Sequence, residues 1–255
     1  MFNIIKEGCS RPNDCINDKK QHKIFLDKGD DLMQAIIETL FDACYLISVI
    51  GIGIFMMTKS KGNKLFFLFG LMAVVLGFGD SFHLIPRAWA LNTVGLENFL
   101  EPLGIGKWIT SVTMTLFYVI LYYVWRKRYN VKGYNWITAV IYFLAAWRII
   151  ICMVAQNEWL TNAVTLDWAI YCNVPFAIMG LIIIVLFYKS AKIHNDKSFR
   201  WMWLTIVLSF GFYIPVVLWA DIVPIVGMLM IPKTCAYVWT VLIGYQAMKK
   251  EGVAA

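Results

Sequence analysis

Long uninterrupted apolar runs are the dominant pattern in the chain. Seven of them approach the roughly 20 residues that a helix needs to cross the hydrocarbon core of a bilayer. They cover 32–57, 65–85, 108–125, 136–154, 168–188, 201–220 and 222–247. The links between them are short and polar, and the last, at Asp221 and Pro224, leaves room only for a tight turn. The pattern therefore predicts an all-α integral membrane protein. Seven transmembrane helices fill 32–247, a polar tail occupies 1–31, and a short tail occupies 248–255.

Composition agrees. Of 255 residues, 60% are apolar and only 15% are charged, whereas soluble chains carry roughly 25% charged residues. Eleven Trp, twelve Tyr and seventeen Phe supply the amphipathic rings that collect at membrane interfaces. A formal charge of +7 would by itself suggest a nucleic-acid partner. The positions of the basic residues point to the lipid bilayer instead.

Lys59, Lys61 and Lys64 lie in the first link, Arg126, Lys127, Arg128 and Lys132 in the third, and Lys189, Lys192, Lys197 and Arg200 in the fifth. Lys249 and Lys250 follow the last span in the C-terminal tail. The even links hold Arg87 and Lys107 against Glu97, Glu101, Glu158, Asp167 and Asp221. By the positive-inside rule the odd links and the C-terminus face the cytoplasm, and the N-terminus lies outside a cell (plasma) membrane.

The first 31 residues carry six basic and six acidic side chains and no apolar h-region. No cleavable signal is expected from them, and the acids argue against a mitochondrial presequence. Cys9 and Cys15 in an oxidising space would either pair or remain free thiols. The other four cysteines, Cys44, Cys152, Cys172 and Cys235, fall in apolar runs, where Cys behaves as a small hydrophobe. No CxxC and no Cys/His ligand spacing occurs, so neither a metal nor another cofactor is expected.

Spans two and six share a pattern, Val75-Leu76-Gly77-Phe78-Gly79 against Val207-Leu208-Ser209-Phe210-Gly211, followed by Pro86 and Pro215. Spans three and seven share Thr115…Tyr118-Val119 against Thr234…Tyr237-Val238. The order fits a three-one-three parallel pseudo-repeat, although matches this short in an apolar alphabet also arise by chance. No known seven-span family is recognised. The chain lacks the Pro-Gln pair of PQ-loop proteins, and the Asp that precedes the span-seven lysine of microbial rhodopsins by four residues. It has too few histidines for a ceramidase-type zinc hydrolase.

Ionisable groups inside a span cost roughly 2.5–3.5 kcal/mol each, so they normally face a protein-lined cavity. Span one offers Glu38 and Asp42 on one face, and span two offers Asp80, His83 and Arg87 on another. Span four contributes Arg148, span five Asn173, span six Tyr213, and span seven Lys233 and Tyr237. At about 1.5 Å per residue, all of these fall in the outer half, and Asp42 and Lys233 lie nearest the midplane. An outward-facing polar pocket follows, closed at its inner end by apolar side chains such as the 181–186 run. Pro175, Pro215 and Pro232 are expected to interrupt spans five to seven near it.

Three functions compete. A small polar or anionic ligand entering from outside would make the protein a transporter or a sensor, with proton coupling through Asp42, Asp80 or His83. An intramembrane enzyme acting on a lipid or prenyl substrate would use Asp80 and His83 as an acid–base pair. A retinal-type Schiff base would use Lys233. Transport is the leading expectation, because no signalling domain follows the last span.

Overall fold

The computed structural model describes residues 12–252 apart from 94, 162–164 and 221, with side chains from 32 onward except Pro224. Cys9 and the side chain of Cys15 lie outside the described residues, as does Asp221. Seven helices carry the chain: α1 (Pro12–Lys59), α2 (Lys64–Asn92), α3 (Leu100–Arg128), α4 (Asn135–Met153), α5 (Leu166–Ile193), α6 (Met202–Trp219) and α7 (Met230–Lys250). Each contains a stretch long and apolar enough to cross a membrane, and no strand occurs among the described residues. The protein is a multi-pass membrane protein. In α1 the apolar segment begins at Leu32, and the helix also continues back through the polar stretch to Pro12.

Local chemistry sets the helix ends. Asn63 accepts a hydrogen bond from the Leu65 amide at 3.0 Å and so caps α2. Gly95, at φ +84°, turns the chain between α2 and α3, a conformation that a side chain would strain. α2 and α3 run well past the expected apolar cores, because their outer turns hold Arg87, Glu101 and Lys107.

Helices α1, α2 and α3 pack in sequence, as do α5, α6 and α7; α4 lies between α3 and α5, and α7 closes the ring against α1 and α2. Glycines permit the closest approach of α2 and α3. A Cβ on Gly106 would lie 2.2 Å from the Phe82 carbonyl oxygen, and one on Gly79 would lie 1.9 Å from Thr113 Oγ1. Large apolar side chains such as Ile47, Phe143, Ile150 and Leu181 cover the outer surface. That suits lipid, which solvates such groups as well as a core does.

The half of the bundle bearing the basic links is tightly filled. Phe69 packs edge-on against Phe199 at 6.0 Å, and Phe187 stacks on Phe199 at 6.5 Å. Arg128 closes this end over Phe199 and grips both Asp196 carboxylate oxygens, at 2.8 and 3.1 Å, while also pairing with Glu251. Asp196 in turn caps the amides of Ser198 and Phe199.

The expected helix interruptions take a different form. α5 and α6 run unbroken through Pro175 and Pro215, since neighbouring helices tolerate such residues in membranes. The irregularity of span seven lies earlier than mid-span. A 3₁₀ turn covers Pro224–Leu229, and α7 proper starts at Met230, which puts Pro232 and Lys233 in its first turn. There a missing amide disturbs little, because the first-turn amides have no intrahelical partner.

Candidate functional site

The ionisable side chains of the spans assemble in one layer that crosses the bundle from α1 to α4. At its α1 edge Arg87 pairs with Glu38 through two nitrogens, the second at 3.4 Å from Oε2. Asp42 is buried one turn along α1, within the field of Glu38, Arg87 and Asp80. Next, on α2, Asp80 accepts a 2.6 Å hydrogen bond from the hydroxyl of Tyr45. Glu38, Asp42 and Tyr45 sit at i, i+4 and i+7, so a single face of α1 supplies this edge.

Lys233 approaches from α7. Its Nζ lies 4.6 Å from the centre of the Tyr213 ring and 5.5 Å from that of Tyr237, with the Met230 sulfur at 4.0 Å. Asp80 is the acid whose field reaches it, but the two form no direct ion pair. The ammonium is thus held by aromatic faces, an arrangement worth about 2 kcal/mol when desolvated.

Arg148 on α4 is the most costly group. It is 3% exposed, and its Cζ lies 3.6 Å from the centre of the Phe176 ring. Its Nε and Nη1 have no hydrogen-bond partner. The polar groups facing it are Tyr213, Cys152, Cys172 and Tyr237, and among the described residues it makes no ion pair with an acid. Phe176 continues into a cluster of rings, with Tyr118 at 4.8 Å, Phe210 at 5.0 Å and Tyr213 at 6.4 Å. Tyr213 donates to Asn173 Oδ1 at 3.1 Å, and the Asn173 amide is anchored on the Ala169 carbonyl at 2.8 Å. Asn157, fully buried, accepts from the Cys172 thiol at 3.1 Å and bonds the last carbonyls of α4.

Nine positions were expected at the site. The layer gathers Glu38, Asp42, Asp80, Lys233, Tyr213, Tyr237, Asn173 and Arg148. His83 lies within the field of Arg87 and Lys233 but shares no hydrogen bond with the layer. Its backbone lies where α3 crosses α2, and its Nδ1 is buried and without a partner. It lines a cleft of about 160 Å³ with Arg87, Glu97, Leu103 and Lys107. Because Asp80 is engaged by Tyr45, the expected Asp80–His83 acid–base pair is not assembled. No group of three or more His, Cys, Asp or Glu able to hold a metal occurs among the described residues.

Tyr45, Tyr118, Phe176 and Asn157 were not anticipated. For Tyr45 a signal was available, since it shares the Glu38–Asp42 face of its helix. An aromatic residue such as Phe176, by contrast, looks in sequence like ordinary core. Comparison of the chain with protein-family models, with curated proteins and with solved structures finds no match.

Proposed function

We propose that the protein is a transporter of a small anionic ligand, which enters from outside the cell membrane and binds in the charged layer. The observation that carries this reading is Arg148, buried against the Phe176 ring with no acid facing it among the described residues; the second ring-held cation, Lys233, has Asp80 in its field. A structural network would match its charges, because an unmatched buried charge costs several kcal/mol. A buried cation left unmatched, as Arg148 is, suits an incoming anion.

Orientation follows the basic links. The Arg128 end faces the cytoplasm, the N-terminus lies outside, and the layer occupies the outer half of the bundle. The aromatic plug around Phe199 is then the inner gate. The two helix triplets, α1–α3 and α5–α7, are the bodies that rock about the layer as a three-one-three pseudo-repeat. Asp80 and Asp42 are the proton-coupling carboxylates. Transport fits better than lipid-active catalysis, because Asp80 and His83 lack a shared hydrogen bond.

The test is uptake of radiolabelled small organic anions into proteoliposomes under an imposed proton gradient. Lys233→Ala and Asp80→Asn each abolish gradient-dependent uptake. Uptake unchanged by either substitution would overturn the proposal.

A further inference from the structure

We infer that the ligand is a small organic monoanion, a single carboxylate on an apolar planar body, anchored by Arg148. This rests on the reading of the layer as an anion site and assigns the ligand's chemical class.

Charge matching comes first. Lys233 faces Asp80 across the layer, so that pair is neutral overall, as are Arg87 and Glu38. Arg148 faces two tyrosines and two cysteines but no carboxylate. The third acid, Asp42, sits at the α1 edge in the field of Glu38, Arg87 and Asp80, so the charge of Arg148 is left over locally, and one negative charge satisfies it. A phosphate, carrying close to two charges near neutrality, would be over-supplied with charge here.

Hydrogen bonding narrows the class further. Two buried donor atoms here have no partner, Arg148 Nε and Arg148 Nη1, while the Tyr118 hydroxyl faces those of Ser209 and Tyr237. Tyr118 is fully buried, and its ring packs on Phe176, the ring that carries Arg148. A carboxylate has two oxygens with about four acceptor positions and no donor of its own, which suits a site holding spare donors only. The remaining polar groups are occupied, with Tyr213 on Asn173, Asn173 on Ala169, and Cys172 on Asn157. A sugar or other polyhydroxylated body would find no partners for its hydroxyls and would pay to be desolvated. Beside Arg148 stand the rings of Phe176, Phe210 and Tyr213, packed on one another at 5.0 and 6.4 Å, an aromatic surround that favours a flat apolar body over a polar one.

The experiment uses the purified full chain in detergent with three probes: sodium benzoate, its neutral isostere benzamide, and inorganic phosphate. Isothermal calorimetry and the thermal-unfolding shift are read together. Benzoate binds saturably, and benzamide binds at least about thirtyfold more weakly, as does benzoate to Arg148→Gln, since removing one member of a buried charge pair costs roughly 2 kcal/mol or more. Arg148→Lys keeps the charge but loses the Nε and Nη1 donors, weakens benzoate by about tenfold, and stands in for Arg148→Gln if that variant fails to fold.

Equal binding of benzoate and benzamide, or benzoate binding unaffected by both substitutions, overturns the inference. Arg148-dependent binding of phosphate without benzoate overturns the carboxylate assignment and leaves the anion site standing. Binding of none of the three overturns the assignment as well, and the proteoliposome measurement then decides separately whether the layer carries any anion.

Discussion

The Tyr45 hydroxyl, 2.6 Å from Asp80, shows what one side chain does in this layer. It is the hydrogen-bond donor Asp80 has, because Lys233 contributes only a field. Tyr45→Phe keeps the ring and deletes the donor, so it should lower stability by about 1.5–3 kcal/mol, the range for bonds to charged groups. Chemical denaturation in detergent measures this, and Tyr45→Phe in an Asp80→Asn background should cost less than half as much. Asp80 was legible as a buried acid from its place in an apolar run. Its partner was not, since 35 residues separate the two and nothing in a single sequence fixes the rotation of α1 against α2. Asp80 and His83 share one helix, and they form no acid–base pair because that unforeseen partner, Tyr45, holds Asp80.

At the scale of helices, small residues decide how closely α2 and α3 approach. Gly106→Ala would push a methyl group into the Phe82 carbonyl, where backbone rather than a flexible side chain is the obstacle. Overpacking of that kind costs typically about 1–3 kcal/mol. Gly211→Ala meets open space and should be neutral or stabilising by up to about 1 kcal/mol, as helix propensity alone predicts. Thermal unfolding of the two variants side by side reads the contrast.

Helix number was legible because apolar length is a one-dimensional property; helix extent was not, since α1, α2 and α3 continue through polar turns beyond the apolar runs. The prolines misled for a physical reason. A proline removes a backbone donor wherever it stands, but Pro175 and Pro215 lie within unbroken helices, while Pro232 falls in a first turn where the donor is not needed.

For the molecule as a whole, the basic end is tied across elements through Arg128, which joins α3 to the α5–α6 link and to the end of α7. Burial raises the pKa of Asp196, but the Arg128 hydrogen bonds and charge outweigh it, so the carboxyl stays below its usual range. Its stabilising contribution is therefore complete above the ordinary carboxylate value near about pH 4 and is lost as pH falls through the lowered folded value. Asp196→Asn should lower the melting temperature at pH 7 and flatten the acid limb of the stability curve, which a pH series of thermal unfolding checks.

The other half of the bundle holds the opposite arrangement, with charges carried at a cost, and that contrast is the core of the account. It is tested most directly by the melting temperature of Arg148→Met. Losing the ring contact costs about 2 kcal/mol, whereas relieving an unmatched buried charge returns several. The account predicts that the variant melts higher than the parent, by about 2–4 °C for each kcal/mol recovered. A fall in its melting temperature would mean that the cation holds the bundle together, and it would contradict the assignment of the layer to a ligand.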